Sequence, residues 1–289
     1  MRKMKHFEIV FLIACLLLAG CRHQEAENGE DSTSVDTLAQ FVTYRLEGEQ
    51  CLVYINPYLE DDDEPLQVKN SYSVVWPADG LMTDKAMTEL MISYFGESNA
   101  TNAESASQQW LNNLWLFDNP DAKGKVVNAI DETKDYSFAT VRSECRQDSN
   151  IATFIINDES YGAGAIHGFY ATSYLQVDIE SGEVIHLTDL IDTTTLGEVI
   201  VRAVEDLAVN KEVLENIYGD YKETGKLPVP PDFYIDSTRS NITLVYQIYH
   251  IAPFASGIQE VVLPIFWLSK HIPLTPYAKR LFGPGCSID

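Results

Sequence analysis

An α+β fold is the class this sequence predicts, with a mainly antiparallel sheet, helices packed on one of its faces, and two small sub-domains. Three observations predict it. Strand-like runs come in groups, and helical patterns are inserted between the groups instead of alternating with single strands, which argues against a doubly wound parallel sheet. The longest run, Phe169 to Ile179, is closed by a turn, Glu180-Ser181-Gly182-Glu183, from which Val184 to Leu187 returns. At 289 residues and 45% hydrophobic, the chain is long enough for one large domain or two small ones with real cores.

Residues 1–20 read as an export signal. Met1-Arg2-Lys3-Met4-Lys5 is basic, Ile9 to Ala19 is apolar, and Leu18-Ala19-Gly20-Cys21 ends the run. The apolar stretch is shorter than the roughly 20 residues that span a bilayer, and a basic start with small residues at the end marks secretion. The tetrapeptide resembles the bacterial lipobox. That resemblance implies cleavage before Cys21, diacylglycerol on its sulfur and a further acyl group, palmitate or similar, on its amine. Several acyl chains on one residue give durable anchoring. An ordinary signal peptide with an incidental cysteine is the alternative. Arg22, and not Asp, follows the cysteine. By similarity to known sorting rules this implies a bacterial outer membrane, with the protein facing the periplasm or the cell surface. Residues 21–38 are small, polar and acidic, and predict a flexible tether that cannot repay the entropy of ordering.

Residues 39–157 are expected to form the first sub-domain. Ala39 to Glu47 and Gln50 to Asn56 read as two strands joined at Gly48, and Glu60 to Pro65 as a solvated acidic loop. Ser71 to Trp76 predicts a strand closed by Pro77. Thr83 caps a helix in which Ala86, Leu90, Met91 and Tyr94 recur at helical spacing, and Gly96 ends it. Glu104 to Phe117 predicts a second helix, with Trp110, Leu111, Leu114 and Trp115 on one stripe. Tyr136 to Arg146 and Asn150 to Asn157 read as a hairpin.

Residues 158–272 form the second expected sub-domain. In Phe169 to Ile179 the alternation puts Phe169, Ala171, Ser173, Leu175, Val177 and Ile179 toward a core. A helix capped by Thr188 or Thr195 follows, with Leu196, Val199, Ile200, Ala203, Val204 and Leu207 as its apolar face. Lys211 to Tyr218 continues as helix, Pro228, Pro230 and Pro231 break it, and Phe233 to Ile235, Ile242 to Tyr249 and Glu260 to Ile265 are late strands. Residues 273–289 read as a C-terminal tail.

Charge and missing motifs narrow the function. With 20 Lys+Arg against 43 Asp+Glu the chain carries a net charge of −23, which repels nucleic acid and anionic lipid and attracts cationic protein or divalent metal ions. Solubility beside a membrane is the plainer use of that charge. There is no Gly-x-Ser-x-Gly, His-Glu-x-x-His, phosphate-binding loop or complete dinucleotide fingerprint. No two histidines stand at i, i+4, and there is no Cys-x-x-Cys, so no metal site, cofactor site or catalytic residue can be named. Beside Cys21, the exported chain keeps Cys51, Cys145 and Cys286, which allow one disulfide at most; free thiols and a bond remain equally open.

Two loops stand out as binding candidates. The first, Tyr161-Gly162-Ala163-Gly164-Ala165-Ile166-His167-Gly168-Phe169-Tyr170, sets three glycines around a histidine at the start of a strand. Tyr161, Gly162, Gly164, His167 and Tyr170 are its candidate binding residues; a bulge with His167 bonded to a carbonyl is the plainer reading. The second, Tyr249-His250-Ile251-Ala252-Pro253-Phe254-Ala255-Ser256-Gly257, is stiffened by Pro253 and turned back by Gly257. Tyr249, His250, Pro253, Phe254 and Gly257 are its candidates, as exposed anchors or as a plug at the end of the sheet.

Together the loops resemble a family of extracytoplasmic domains of unknown function. The His167 loop is similar to that family's Gly-Gly-Ala-His element, with Ala165 in place of the second glycine and Ile166 in place of the alanine. Gln176 to Ile191 is similar to its strand-turn-strand ending in Leu-x-Asp-Leu. Tyr249 to Gly257, followed by Glu260 to Pro264, is similar to its Tyr-Glu-Ile-Ala-Pro-Tyr-Ala-x-Gly signature, with His250 for Glu and Phe254 for the second Tyr. The resemblance spans roughly Phe41 to Ile272 and is strongest from Asn157. The family includes the lysozyme-binding region of the anti-sigma factor RsiV and the N-terminal region of a peptidoglycan deacetylase, PdaC. An RsiV-like relation implies non-catalytic contact with lysozyme-like protein or cell-wall glycan, here by a lipid-anchored module. The alternatives are a peptidoglycan-modifying hydrolase or deacetylase, and a structural envelope lipoprotein without a ligand.

Overall fold

A computed structural model describes residues 41–54, 65–96, 100–112, 124–219 and 221–283. The signal segment, Cys21, the tether, Trp115, Cys286 and the acidic loop up to Glu64 lie outside the described residues.

The larger sheet has six strands in the order β3-β1-β2-β4-β5-β6. Strand β1 (Thr43–Tyr54) runs antiparallel to β2 (Leu66–Pro77) over its whole length. The break expected at Gly48 is absent. That glycine sits opposite Tyr72, and a Cβ on it would lie 2.5 Å from the tyrosine ring, so it makes room for a cross-strand ring and not for a turn. After β2 the chain forms α1 (Asp84–Phe95) and α2 (Ala103–Leu111). Thr83 caps α1 as predicted, its Oγ1 accepting the Ala86 N–H at 3.2 Å, and Gly96 closes it at φ 72°. A short strand β3 (Lys125–Val127) then pairs with β1 at the edge. Strands β4 (Ser137–Asp148), β5 (Ile151–Tyr161) and β6 (Phe169–Asp178) follow as an antiparallel run. The excursion through two helices lets β4 lie parallel to β2, whereas every other pair in the sheet is antiparallel.

Helices α1 and α2 cover one face of this sheet and close the first core. Leu90 and Tyr94 pack there against Val74, Phe154, Ile156, Leu175 and Val177. Tyr94 ties helix to sheet: its hydroxyl donates to the Val75 carbonyl at 2.6 Å and accepts from Ser143 Oγ at 3.0 Å, while Val75 N–H donates to the same Ser143 oxygen. Cys51 and Cys145 carry free thiols, and burial pushes Cys145 up to about 11.

The second core is built on a three-stranded antiparallel sheet, β7 (Asp232–Ile235), β8 (Asn241–Tyr246) and β9 (Gln259–Pro264). Before it come α3 (Leu187–Leu190), α4 (Leu196–Asp206), α5 (Lys211–Asn216) and α6 (Tyr221–Thr224); α7 (Ile265–Leu268) and α8 (Pro276–Phe282) follow. The apolar face of α4 predicted from sequence, with Leu196, Ile200 and Val204, packs in one cluster with Ile242, Leu244, Val261 and Leu263. Thr195 stands at its N-terminus without a side-chain capping bond. Part of the expected tail is ordered structure in α8. Thr275 Oγ1 accepts the Ala278 N–H at 3.1 Å to start that helix, Ala278 and Leu281 are buried, and Tyr277 donates to Asp178 Oδ2 at 2.8 Å.

The joint placed at 157/158 from sequence falls inside β5, and the change of sheet comes after β6. Strand β6 serves both cores. Leu175 and Val177 enter the first core, as the alternation predicts. The opposite residues, expected to face outward, meet the small sheet: Gln176 accepts from Ile235 N–H at 2.8 Å and donates to the Phe233 carbonyl, and Tyr174 packs on Tyr234 with ring centroids 4.7 Å apart. Gln247 adds a second stitch, its amide accepting from Thr172 N–H at 3.1 Å and donating to Thr172 O at 2.8 Å. The Gln247 amide thus caps the β6 edge at Thr172, Gln176 caps the edge of β7, and backbone from Val184–Ile185 pairs with β6 at Gln176–Val177.

Candidate functional site

The two predicted loops meet at the start of β6. The glycine loop is pinned from below: Ala163 N–H donates to Ser137 Oγ at 2.9 Å and Gly164 N–H to Asp135 Oδ2 at 2.8 Å, with Gly164 at φ 80°. Gly168 lies so close to β5 that a Cβ would sit 2.8 Å from the Ser160 carbonyl oxygen. These constraints present Ile166 fully exposed at the tip, with His167 exposed next to it.

The second loop supplies the partners of His167. Pro253 precedes a short 3-10 turn, Phe254–Ser256, which presents Phe254. The Phe254 ring stacks on His167 with centroids 3.9 Å apart. Tyr249 Oη lies 3.1 Å from His167 Nε2, and Nδ1 lies 2.9 Å from the Gly168 carbonyl. A carbonyl can only accept, so Nδ1 carries the hydrogen and Nε2 accepts from the tyrosine in the neutral ring. Tyr170 meets Phe254 edge-on at 5.8 Å. Gly257 leaves 3.4 Å between its missing Cβ and Tyr170 Oη. Tyr249 is held at φ 66°, a conformation unusual for a side chain of that size.

The structure therefore brings His167, Tyr170, Tyr249, Phe254 and Gly257 into one cluster. Tyr161 stands at its flank, stacked on Phe138 at 6.0 Å. Between them lies a cleft of about 240 Å³ lined by Phe138, Glu159, Ser160, Tyr161, Gly168, Phe169, Tyr170 and Phe254. Gly162 closes the turn whose carbonyl accepts from Ala165 N–H. His250 is not part of the cluster; its ring lies edge-on to Tyr246 at 5.3 Å.

Three residues that carry the site's chemistry escape sequence reading. Alternation along β6 points Phe169 toward a core, but at this end of the sheet it faces the cleft walled by Trp110 of α2 and is about half exposed. Trp110 reads as core, yet it walls a second cleft. Asp158 reads as one carboxylate among many. That second cleft, about 230 Å³, is lined by Trp110, Ala139, Thr140, Val141, Asp158, Glu159, Ser160 and Phe169. Asp158 shares a sheet face with Phe154 and Ile156. Burial, with a smaller contribution from Asp232, pushes its carboxyl up to about 6. Among the described residues no three His, Cys, Asp or Glu side chains gather as a metal site.

Residues 194–265 match the model of a family described as "Protein of unknown function (DUF3298)". The matched segment runs from the approach to α4 to the start of α7 and includes the Tyr249 loop, a narrower span than the motif resemblance. A crystal structure of a DUF3298 family member from Bacteroides fragilis superposes with a TM-score of 0.55 at 16% identity, covering 83% of this chain and 96% of that one. A DUF3298 family protein from Pseudomonas aeruginosa gives a TM-score of 0.51 at 13% identity, covering 83% of this chain and 97% of that one. At such identities the likeness is one of fold. No curated protein matches the sequence.

Proposed function

We propose that this chain is a non-catalytic envelope protein, held to a bacterial outer membrane by lipid on Cys21 and facing the periplasm or cell surface, that binds a cationic, lysozyme-like protein. The observation that carries the reading is the convergence of two loops, distant in sequence, on one exposed aromatic surface. Ile166, Phe169, Tyr170 and Tyr249 stand in solvent there on a backbone fixed by side-chain bonds and tight glycine contacts. Aromatic anchors on a rigid support are the usual energetic centre of a protein interface. The chain's charge of −23 supplies the long-range attraction that brings a basic protein to it.

A peptidoglycan hydrolase or deacetylase is the alternative. Asp158 and Glu159 are consecutive in a strand and leave it on opposite faces, so they do not form a facing pair. A cell-wall glycan is the competing ligand in the test. Calorimetric titration of lysozyme into the exported chain with Cys21→Ser is expected to give binding that weakens as salt is raised and is lost in a Tyr249→Ala, Phe254→Ala double variant. Peptidoglycan fragments are expected to give no heat and to be recovered unchanged by mass spectrometry. Absence of any salt-sensitive lysozyme binding overturns the proposal.

A further inference from the structure

We propose that the cleft around Asp158 is a binding site for an organic monocation, an alkylammonium or guanidinium group. Asp158 makes no hydrogen bond or ion pair with any described residue, although it lies on the helix-covered face of the sheet, two residues beyond the fully buried Ile156. Its carboxylate is partly screened from water yet receives no protein donor, so a ligand cation or water must supply its partner. The walls narrow the class of that ligand. Trp110 and Phe169 flank the carboxylate, and aromatic faces attract cations most strongly where water is excluded. A divalent metal needs several oxygen ligands; Asp232 is close enough to act on Asp158, but among the described residues no third His, Cys, Asp or Glu side chain completes a metal-sized group. A neutral sugar could donate a hydrogen bond but could not balance the charge. The volume of about 230 Å³ holds the end of one Lys or Arg side chain and excludes a folded segment.

The cleft adjoins the aromatic surface, sharing Glu159, Ser160 and Phe169 with the cleft beside Phe254. If the cationic-partner reading holds, the ligand is a basic side chain of that partner, seated while Tyr249 and Phe254 make the apolar contact. The chemistry of the cleft does not depend on that reading; only the source of the cation does.

The experiment titrates butylguanidinium and butylammonium chloride into the full chain in non-ionic detergent, with 1-pentanol as the neutral control, and follows the Trp110 indole signal by NMR. Saturable shifts are expected for both cations and not for the alcohol. Affinity for the cations is expected to fall about tenfold or more in Asp158→Asn, a variant that keeps the shape and removes the charge. Trp110→Leu, read by the Phe169 ring signals, is expected to weaken the cations several-fold. No saturable shift, or an unchanged affinity in Asp158→Asn, overturns the site. Lysozyme binding then separates the two proposals. Cation binding without lysozyme binding upholds the site and removes the partner, whereas lysozyme binding indifferent to Asp158→Asn overturns the cleft as the partner's anchor.

Discussion

Replacing Asp158 by Asn is expected to make the protein more stable at neutral pH. The carboxyl titrates at about 6 in the fold, against an ordinary value of about 4. The folded state therefore holds the proton more tightly than the unfolded chain does. That preference favours the fold below about pH 4, and it is lost as pH rises through about 6. Above that pH the charged group sits in a poorly hydrated place with no donor. A rise from about 4 to about 6 is equivalent to about 3 kcal/mol. Residual access to water lowers this to about 2 kcal/mol. For a folded unit of this size, that is a rise in Tm of roughly 4–8 °C. Asn resembles the protonated acid in shape and neutrality, so the gain appears at about pH 7.5 and vanishes near pH 4. Urea denaturation of both proteins at the two pH values measures it. Equal stability at the higher pH, or the same gain at both, would refute the reasoning, because the carboxylate would then have a compensating partner or free access to water.

Other substitutions test the scaffold and the loops. Tyr94→Phe removes the donor to the Val75 carbonyl and strands Ser143, and a loss of about 1–3 kcal/mol in urea denaturation is expected. Gly48→Val drives a side chain into the Tyr72 ring and is expected to cost about 1–3 kcal/mol by the same assay. Tyr249→Gly relieves a left-handed backbone and is expected to leave stability unchanged or raise it by up to about 1 kcal/mol, while calorimetry shows lysozyme binding weakened. Cys21→Ala is expected to move the protein from the detergent phase to the aqueous phase in Triton X-114 partitioning; continued partition with detergent would sink the lipid anchor.

Much of the fold was legible because local signals and tertiary packing agree over long stretches. Thr83 and Gly96 bracket α1, the α4 stripe packs as its spacing requires, and the β4–β5 hairpin follows its alternation. The failures share a physical origin. Gly48 carries a turn signal, but whether a glycine bends a strand or accommodates a ring depends on the residue opposite, and Tyr72 is 24 positions away. The even-numbered face of β6 reads as solvent because Tyr174, Gln176 and Asp178 are polar, yet Gln176 and Asp178 are buried under partners from β7 and α8. Polarity there marks hydrogen bonding across an interface and not exposure. The two loops could be found by composition, since glycine and aromatic clustering is local. Their meeting joins His167 to Tyr249, 82 residues on, and Asp158 has no local signature at all.

The position of the unfavourable features argues against a purely structural role. Beneath the site most of the polar interior is paired: Gln176 and Gln247 use both ends of their amides and Tyr94 is bonded twice, with Asn150 Oδ1 a buried exception. Single exposed apolar side chains such as Val126, Val209 and Phe266 and left-handed residues such as Ser149 and Arg239 occur elsewhere, but at one end of β5 and β6 several such features adjoin. Ile166 is fully exposed, Phe169 and Tyr249 are about half exposed, Tyr249 holds a left-handed backbone, and Asp158 has no donor. The left-handed Tyr249 and the charged Asp158 lower stability while the exposed apolar side chains add nothing to it, so a protein needing only a fold would lose nothing by Ile166→Ser and would gain by Asp158→Asn. Costs scattered over a surface would be ordinary tolerance. Costs gathered at the meeting of two loops, on a support stiff enough to hold them, are what a preorganised binding surface requires. The two kinds of cost are also complementary, because a basic side chain relieves the carboxylate while an apolar one covers the rings. A partner offering only one of the two would leave half of the unfavourable surface exposed.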